Sequence, residues 1–129
     1  MKTVLKYLLL IMITGFTFIG CKKEQNNVKY VTLDVTLARG TNYNLDLRQY
    51  GDADDIVSIT KQADDYITSE ISRDASTSWY IYKYSTAATP KVSSTGHDTV
   101  VLKITEPGGR GRCGKHQSET DITIHFTLQ

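Results

Sequence analysis

Two short stretches concentrate the side chains that could do chemistry. Gly108-Gly109-Arg110-Gly111-Arg112-Cys113-Gly114-Lys115-His116 is basic and rich in glycine, and Gly51-Asp52-Ala53-Asp54-Asp55 is acidic. In the basic stretch, glycines free backbone N–H groups to point at an anion, while Arg110, Arg112 and Lys115 supply charge. That chemistry suits a carboxylate, a phosphate or an acidic sugar. Cys113 sits among Arg112, Lys115 and His116, which favour its thiolate, and the Cys113/His116 spacing is half of a zinc or copper site. Two further ligands would be needed, and the remaining histidines are His97 and His125. In the acidic stretch, Asp52, Asp54 and Asp55 are hard oxygen donors of the kind calcium takes, although no distal glutamate completes a calcium loop. The plainer alternative is that the two stretches pair with each other at the surface, each exposed ion pair contributing ~0–1 kcal/mol.

Catalysis has little to stand on. His97 and Asp98 are adjacent, which in a strand sends them to opposite faces. No Gly-x-Ser-x-Gly elbow, phosphate loop or His-Glu-x-x-His motif occurs. The whole chain has 15 basic and 14 acidic residues, and without Lys2 and Lys6 the balance is 13 − 14 = −1. Nucleic-acid binders carry a basic excess, so that class is not expected.

The N-terminus carries Lys2 and Lys6, then a nearly uninterrupted apolar run from Tyr7 to Ile19. Positive charge followed by a short apolar core is the pattern of a secretory signal, and the run falls short of the about 20 residues a membrane-spanning helix needs. It ends at Phe18-Ile19-Gly20-Cys21, before the polar Lys22-Lys23-Glu24-Gln25-Asn26-Asn27. These residues resemble the bacterial lipobox, in which a small residue precedes the cysteine that is acylated and becomes the new N-terminus. The resemblance implies cleavage before Cys21, lipidation of Cys21, and a membrane partner reached through the lipid anchor. The start of the tether also resembles surface lipoproteins of Bacteroidota. With Cys21 acylated, Cys113 has no intrachain disulfide partner, so an apolar core and strand ladders must hold the fold.

The elements that must position these residues read as strands. Val31, Leu33, Val35 and Leu37 alternate with polar neighbours, and a turn at residues 38–42 leads to Tyr43, Leu45 and Leu47. Further strands are expected over Ile56–Thr60, over Tyr66–Ile71 with Ile67 and Ile71 inward, and over Trp79–Tyr84. The last two carry Val100, Leu102 and Ile104, then Ile122, Ile124, Phe126 and Leu128. No segment has a sustained helical stripe. Seven half-apolar strands predict an all-β, seven-stranded immunoglobulin-like sandwich, with a small barrel as the competing geometry.

The segments Trp79–Tyr84, Thr95–Glu106 and Asp121–Phe126 resemble bacterial cadherin-like or immunoglobulin-like repeats, with Gly96 and Asp98 matching the repeat pattern. The resemblance implies the sandwich topology, which would bring residues 48–55, 72–78 and 107–120 to one pole. The expected organisation is a signal at 1–20, a lipidated tether at 21–27 and one domain at 28–129. The expected function is a non-enzymatic binding or assembly module, lipid-anchored in the cell envelope at the outer membrane, with a protein or glycan partner and no resident cofactor. The alternatives are a metal-binding or redox accessory protein using Cys113 and His116, and a calcium-stabilised adhesion module using Asp52, Asp54 and Asp55.

Overall fold

A computed structural model describes residues 27–89, 96–107 and 118–129. Cys21, the N-terminal apolar run and the basic stretch at 108–117 lie outside the described residues. The described residues are all-β apart from one 3-10 turn. The strands are β1 (Asn27–Leu37), β2 (Asn42–Asp46), β3 (Ile56–Lys61), β4 (Thr68–Arg73), β5 (Tyr80–Ser85), β6 (His97–Thr105) and β7 (Ser118–Leu128). They form a four-stranded sheet in the order β1-β7-β6-β3 and a three-stranded sheet in the order β2-β5-β4. All pairings are antiparallel except β1 with β7, which run parallel in unbroken register from Asn27↔Ser118 to Leu37↔Leu128.

Alternation explains which residues are inside. The buried apolar side chains of β6 and β7 alternate along each strand: Val100, Leu102 and Ile104 on one, Ile122, Ile124, Phe126 and Leu128 on the other. The second sheet contributes Leu45, Tyr82 and Tyr84 to the same core cluster. Tyr84 stacks on Phe126 with ring centroids 4.0 Å apart and planes 7° apart, and Tyr43 meets Phe126 edge-on at 5.4 Å. Such contacts add about 0.5–1.5 kcal/mol each beyond the area they bury. The tyrosines of β5 therefore belong to the core. Burial pushes the Tyr82 phenol up to about 12, against the opposing pull of its Ser69 hydrogen bond.

The boundaries depart from simple alternation in four places. β1 begins at Asn27, inside the expected tether, because its ladder with β7 continues that far. Leu47 is buried but opens a 3-10 turn (Leu47–Gln49), where the Asp46 carboxylate caps the Arg48 N–H. Trp79 precedes β5 instead of starting it. Ile67, expected inward, is 67% exposed: it lies just before β4, and Tyr66 packs against the core in its place.

Candidate functional site

The acidic stretch lies in the connection between the 3-10 turn and β3, and its backbone explains its shape. Gly51 is required there, because a Cβ would stand 2.5 Å from Asp55 Oδ2 and 2.8 Å from Ile104 Cγ2. The buried Asp55 carboxylate accepts the Asp52 N–H at 2.7 Å, and the Asp55 N–H donates to the Asp52 carbonyl at 3.2 Å. Asp55 thus closes the loop on itself. Asp52 and Asp54 are exposed. Among the described residues no group of three or more His, Cys, Asp or Glu side chains is placed to hold a metal ion.

This loop shares its pole with two others. Trp79, after the β4–β5 turn, borders a narrow crevice together with Leu47, Gly51 and Asp52. That turn is organised by Asp74, whose Oδ1 accepts the N–H groups of Ser76 and Thr77 at 3.0 and 2.9 Å. The Ser76 hydroxyl, with these bonds, holds the Asp74 carboxyl down to about 2. Between the first loop and the ends of β6 and β7 lies a polar cavity of about 340 Å³, bordered by Arg48, Tyr50, Asp52, Glu106, Ser118 and Thr120 among others.

The rim of the cavity is clamped. The Glu106 N–H donates to the Ser118 carbonyl at 3.1 Å, and the Ser118 hydroxyl donates to Glu106 Oε2 at 2.7 Å. Glu106 and Ser118, which flank the segment carrying Arg110, Arg112, Cys113, Lys115 and His116, border the cavity, whereas those five residues themselves lie outside the described residues. Arg48 is paired with Asp46, its Nε donating to Asp46 Oδ2 at 2.7 Å, and this hydrogen bond holds the Asp46 carboxyl below the usual range. Among the described residues, the other charged side chains bordering the cavity are Asp52, Asp55 and Glu106.

The remaining histidines are elsewhere. His97 opens β6 opposite Thr127, and His125 faces outward, its Nδ1 3.2 Å from the Thr99 hydroxyl. Eight residues of strand, about 27 Å at 3.4 Å per residue, separate His97 from the cavity end of β6.

The opposite pole is a hydrogen-bonded knot. Asp98, 4% exposed, accepts the N–H groups of Asp64 and Thr99 on Oδ1 at 2.8 Å each, and the Asp65 N–H and Tyr84 hydroxyl on Oδ2 at 3.0 and 2.8 Å. Burial first, then this bond, raises the Tyr84 phenol above its ordinary range. Arg39 pairs with the buried Asp65 at 2.8 Å. In the sequence Asp98 stands out as a neighbour of His97 and as a match to the repeat pattern, neither of which announces this role. The signal that could have found it is parity, since Asp98 falls on the inward face of β6 with Val100, Leu102 and Ile104.

No protein-family model and no curated protein matches the chain. Among solved structures, a cysteine protease inhibitor from Entamoeba histolytica aligns with 79% of this chain and 99% of its own at 12% identity, with a TM-score of 0.35. A likeness of that degree carries no inference about this chain.

Proposed function

We propose that the protein is a lipid-anchored, non-enzymatic binding or assembly module of the cell envelope, built as an immunoglobulin-like sandwich, with the 340 Å³ pole as its binding surface. The observation that carries the reading is that the acidic loop, Trp79 after the β4–β5 turn, and the β6 and β7 ends flanking residues 108–117 border one another at this pole. Loops at one end of a rigid sheet scaffold are a common place to mount a binding site. The grouping of β3, β6 and β7 in one sheet and β2, β5 and β4 in the other is that of strands C, F, G and B, E, D of an immunoglobulin-like sandwich and supports that topology, with β1 joining β7 instead of β2. The lipobox at Cys21 supports the anchor and, with it, an outer-membrane location. The partner is a protein or a glycan.

Two measurements test the two halves separately. Cys21→Ser is expected to leave the protein uncut and without lipid; unchanged processing and acylation would remove the anchor reading. Capture of partners from detergent-solubilised membranes is expected to fall with Asp52→Lys and to persist with Thr41→Lys, an exposed change at the other pole. Equal capture by both variants would remove the pole as the binding surface.

A further inference from the structure

Among the described residues, the four-stranded sheet ends on one side at β1, an 11-residue strand with no register shift and no proline. The other edge strands are poorer templates. β2 has 5 residues, β4 has 6, and β3 has 6 with an irregularity between Ile59 and Lys61. Short or bulged edges resist pairing with another chain, whereas a long regular edge invites it.

The direction of the free backbone groups follows from the end of the β1–β7 ladder. The Leu37 carbonyl accepts the Gln129 N–H, and the Arg39 N–H donates to the Gln129 carbonyl, so odd-numbered residues face β7. By alternation, Val28, Tyr30, Thr32, Asp34 and Thr36 aim their N–H and C=O groups away from the sheet. The inward side chains of β1 also lack full cover. Val31 and Leu33 are only half-buried, whereas Ile122 and Ile124, their register partners on β7, are 0% exposed.

We infer that β1 is a self-association edge, pairing antiparallel with β1 of a second copy about a dyad at Thr32. That register keeps the inward faces of the two strands on one side of the joined sheet, with the half-buried Val31 and Leu33 near its centre. Val31 meets Leu33 of the second copy, Val28 meets Thr36, and Thr32 meets Thr32. The exposed Tyr30 phenol faces the Asp34 carboxylate, and Lys29 faces Val35, so no like charges are opposed. The same sequence read in both directions fills the edge, which favours a second copy over an unrelated strand. The two four-stranded sheets become one continuous sheet of eight strands, and the half-exposed Val31 and Leu33 are covered. The inference rests on β1 alone and holds whether or not Cys21 carries a lipid.

Sedimentation equilibrium of the full chain in density-matched detergent tests it, with Thr32→Pro and Thr32→Lys as variants. Thr32→Pro deletes an N–H that points off the sheet, a position where proline is tolerated. Thr32→Lys sets two ammonium groups against each other at the dyad while changing an exposed side chain. The wild type is expected to dimerise, and each variant to raise the dimer Kd by roughly tenfold or more, with an unchanged monomer melting temperature. A wild type that stays monomeric, or variants that dimerise as tightly as the wild type, overturns the inference. If Thr32→Pro does not fold, Thr32→Lys alone decides.

Discussion

Asp98→Asn probes the knot that ties the two sheets together at the pole opposite the cavity. The carboxylate serves four donors with two oxygens, whereas the amide offers one oxygen and an NH2 group. With its oxygen toward Asp64 and Thr99, its NH2 meets Tyr84 and the Asp65 N–H. The Tyr84 hydroxyl can then accept from the amide and donate to the Asp65 carbonyl, already 3.3 Å away. The Asp65 N–H loses this acceptor. Loss of one buried acceptor costs about 1–3 kcal/mol, and loss of charge assistance on the bonds that remain adds roughly another 1 kcal/mol. The expected destabilisation is about 2–4 kcal/mol, a large part of the marginal stability of a domain this size. Tyr84→Phe removes one donor and is expected to cost about 1–2 kcal/mol. The double variant should fall short of the sum, because Tyr84 has already re-aimed its hydroxyl in Asp98→Asn. Urea unfolding followed by the fluorescence of Trp79, the single tryptophan, gives all three values at the far pole from the substitution. A change under about 0.5 kcal/mol for Asp98→Asn, or strict additivity with Tyr84→Phe, would refute the reasoning.

Gly51→Ala should push the Asp55 carboxylate off the Asp52 N–H and cost about 1–3 kcal/mol, read as a lower urea midpoint. Breaking the buried Arg39–Asp65 pair with Arg39→Ala should cost about 3–5 kcal/mol by the same assay, because it leaves a carboxylate inside without its cation. The fold should weaken in alkali. Tyr82 is neutral in the fold up to about 12, while the unfolded chain releases that proton near 10. Its contribution is therefore complete below pH ~10 and lost between about 10 and 12. Melting curves at stepped pH should show the decline, and Tyr82→Phe should lessen it, leaving the part carried by Tyr84, whose phenol is also raised.

Much of this architecture was legible because strand alternation reports which face is buried. The inward sets of β6 and β7 are those that spacing predicts, down to Leu128. The failures share a cause. Ile67 lies one residue outside its strand, where the chain turns and parity no longer decides direction, whereas Leu47, also one residue outside its strand, is buried as alternation predicts. Asp55 reads as a surface ligand by residue type, yet its carboxylate is used to close a turn, which depends on a glycine four positions earlier and on Ile104 from a distant strand. The knot at Asp98 needs partners 33 and 34 residues away, and no local pattern announces them. The cavity likewise depends on loops far apart in sequence meeting at one end.

The parallel ladder of β1 and β7 also governs how the domain bears load. Tension drawn between Asn27 and Leu128 pulls these two strands past each other along their length, because they run in the same direction. Every rung of the ladder is strained together, and rupture must break them as a set. An antiparallel pair such as β6 and β7, pulled at one end, would open rung by rung. A domain held by its N-terminal side and tugged at its C-terminal strand is thus joined in shear, the geometry that resists mechanical extraction.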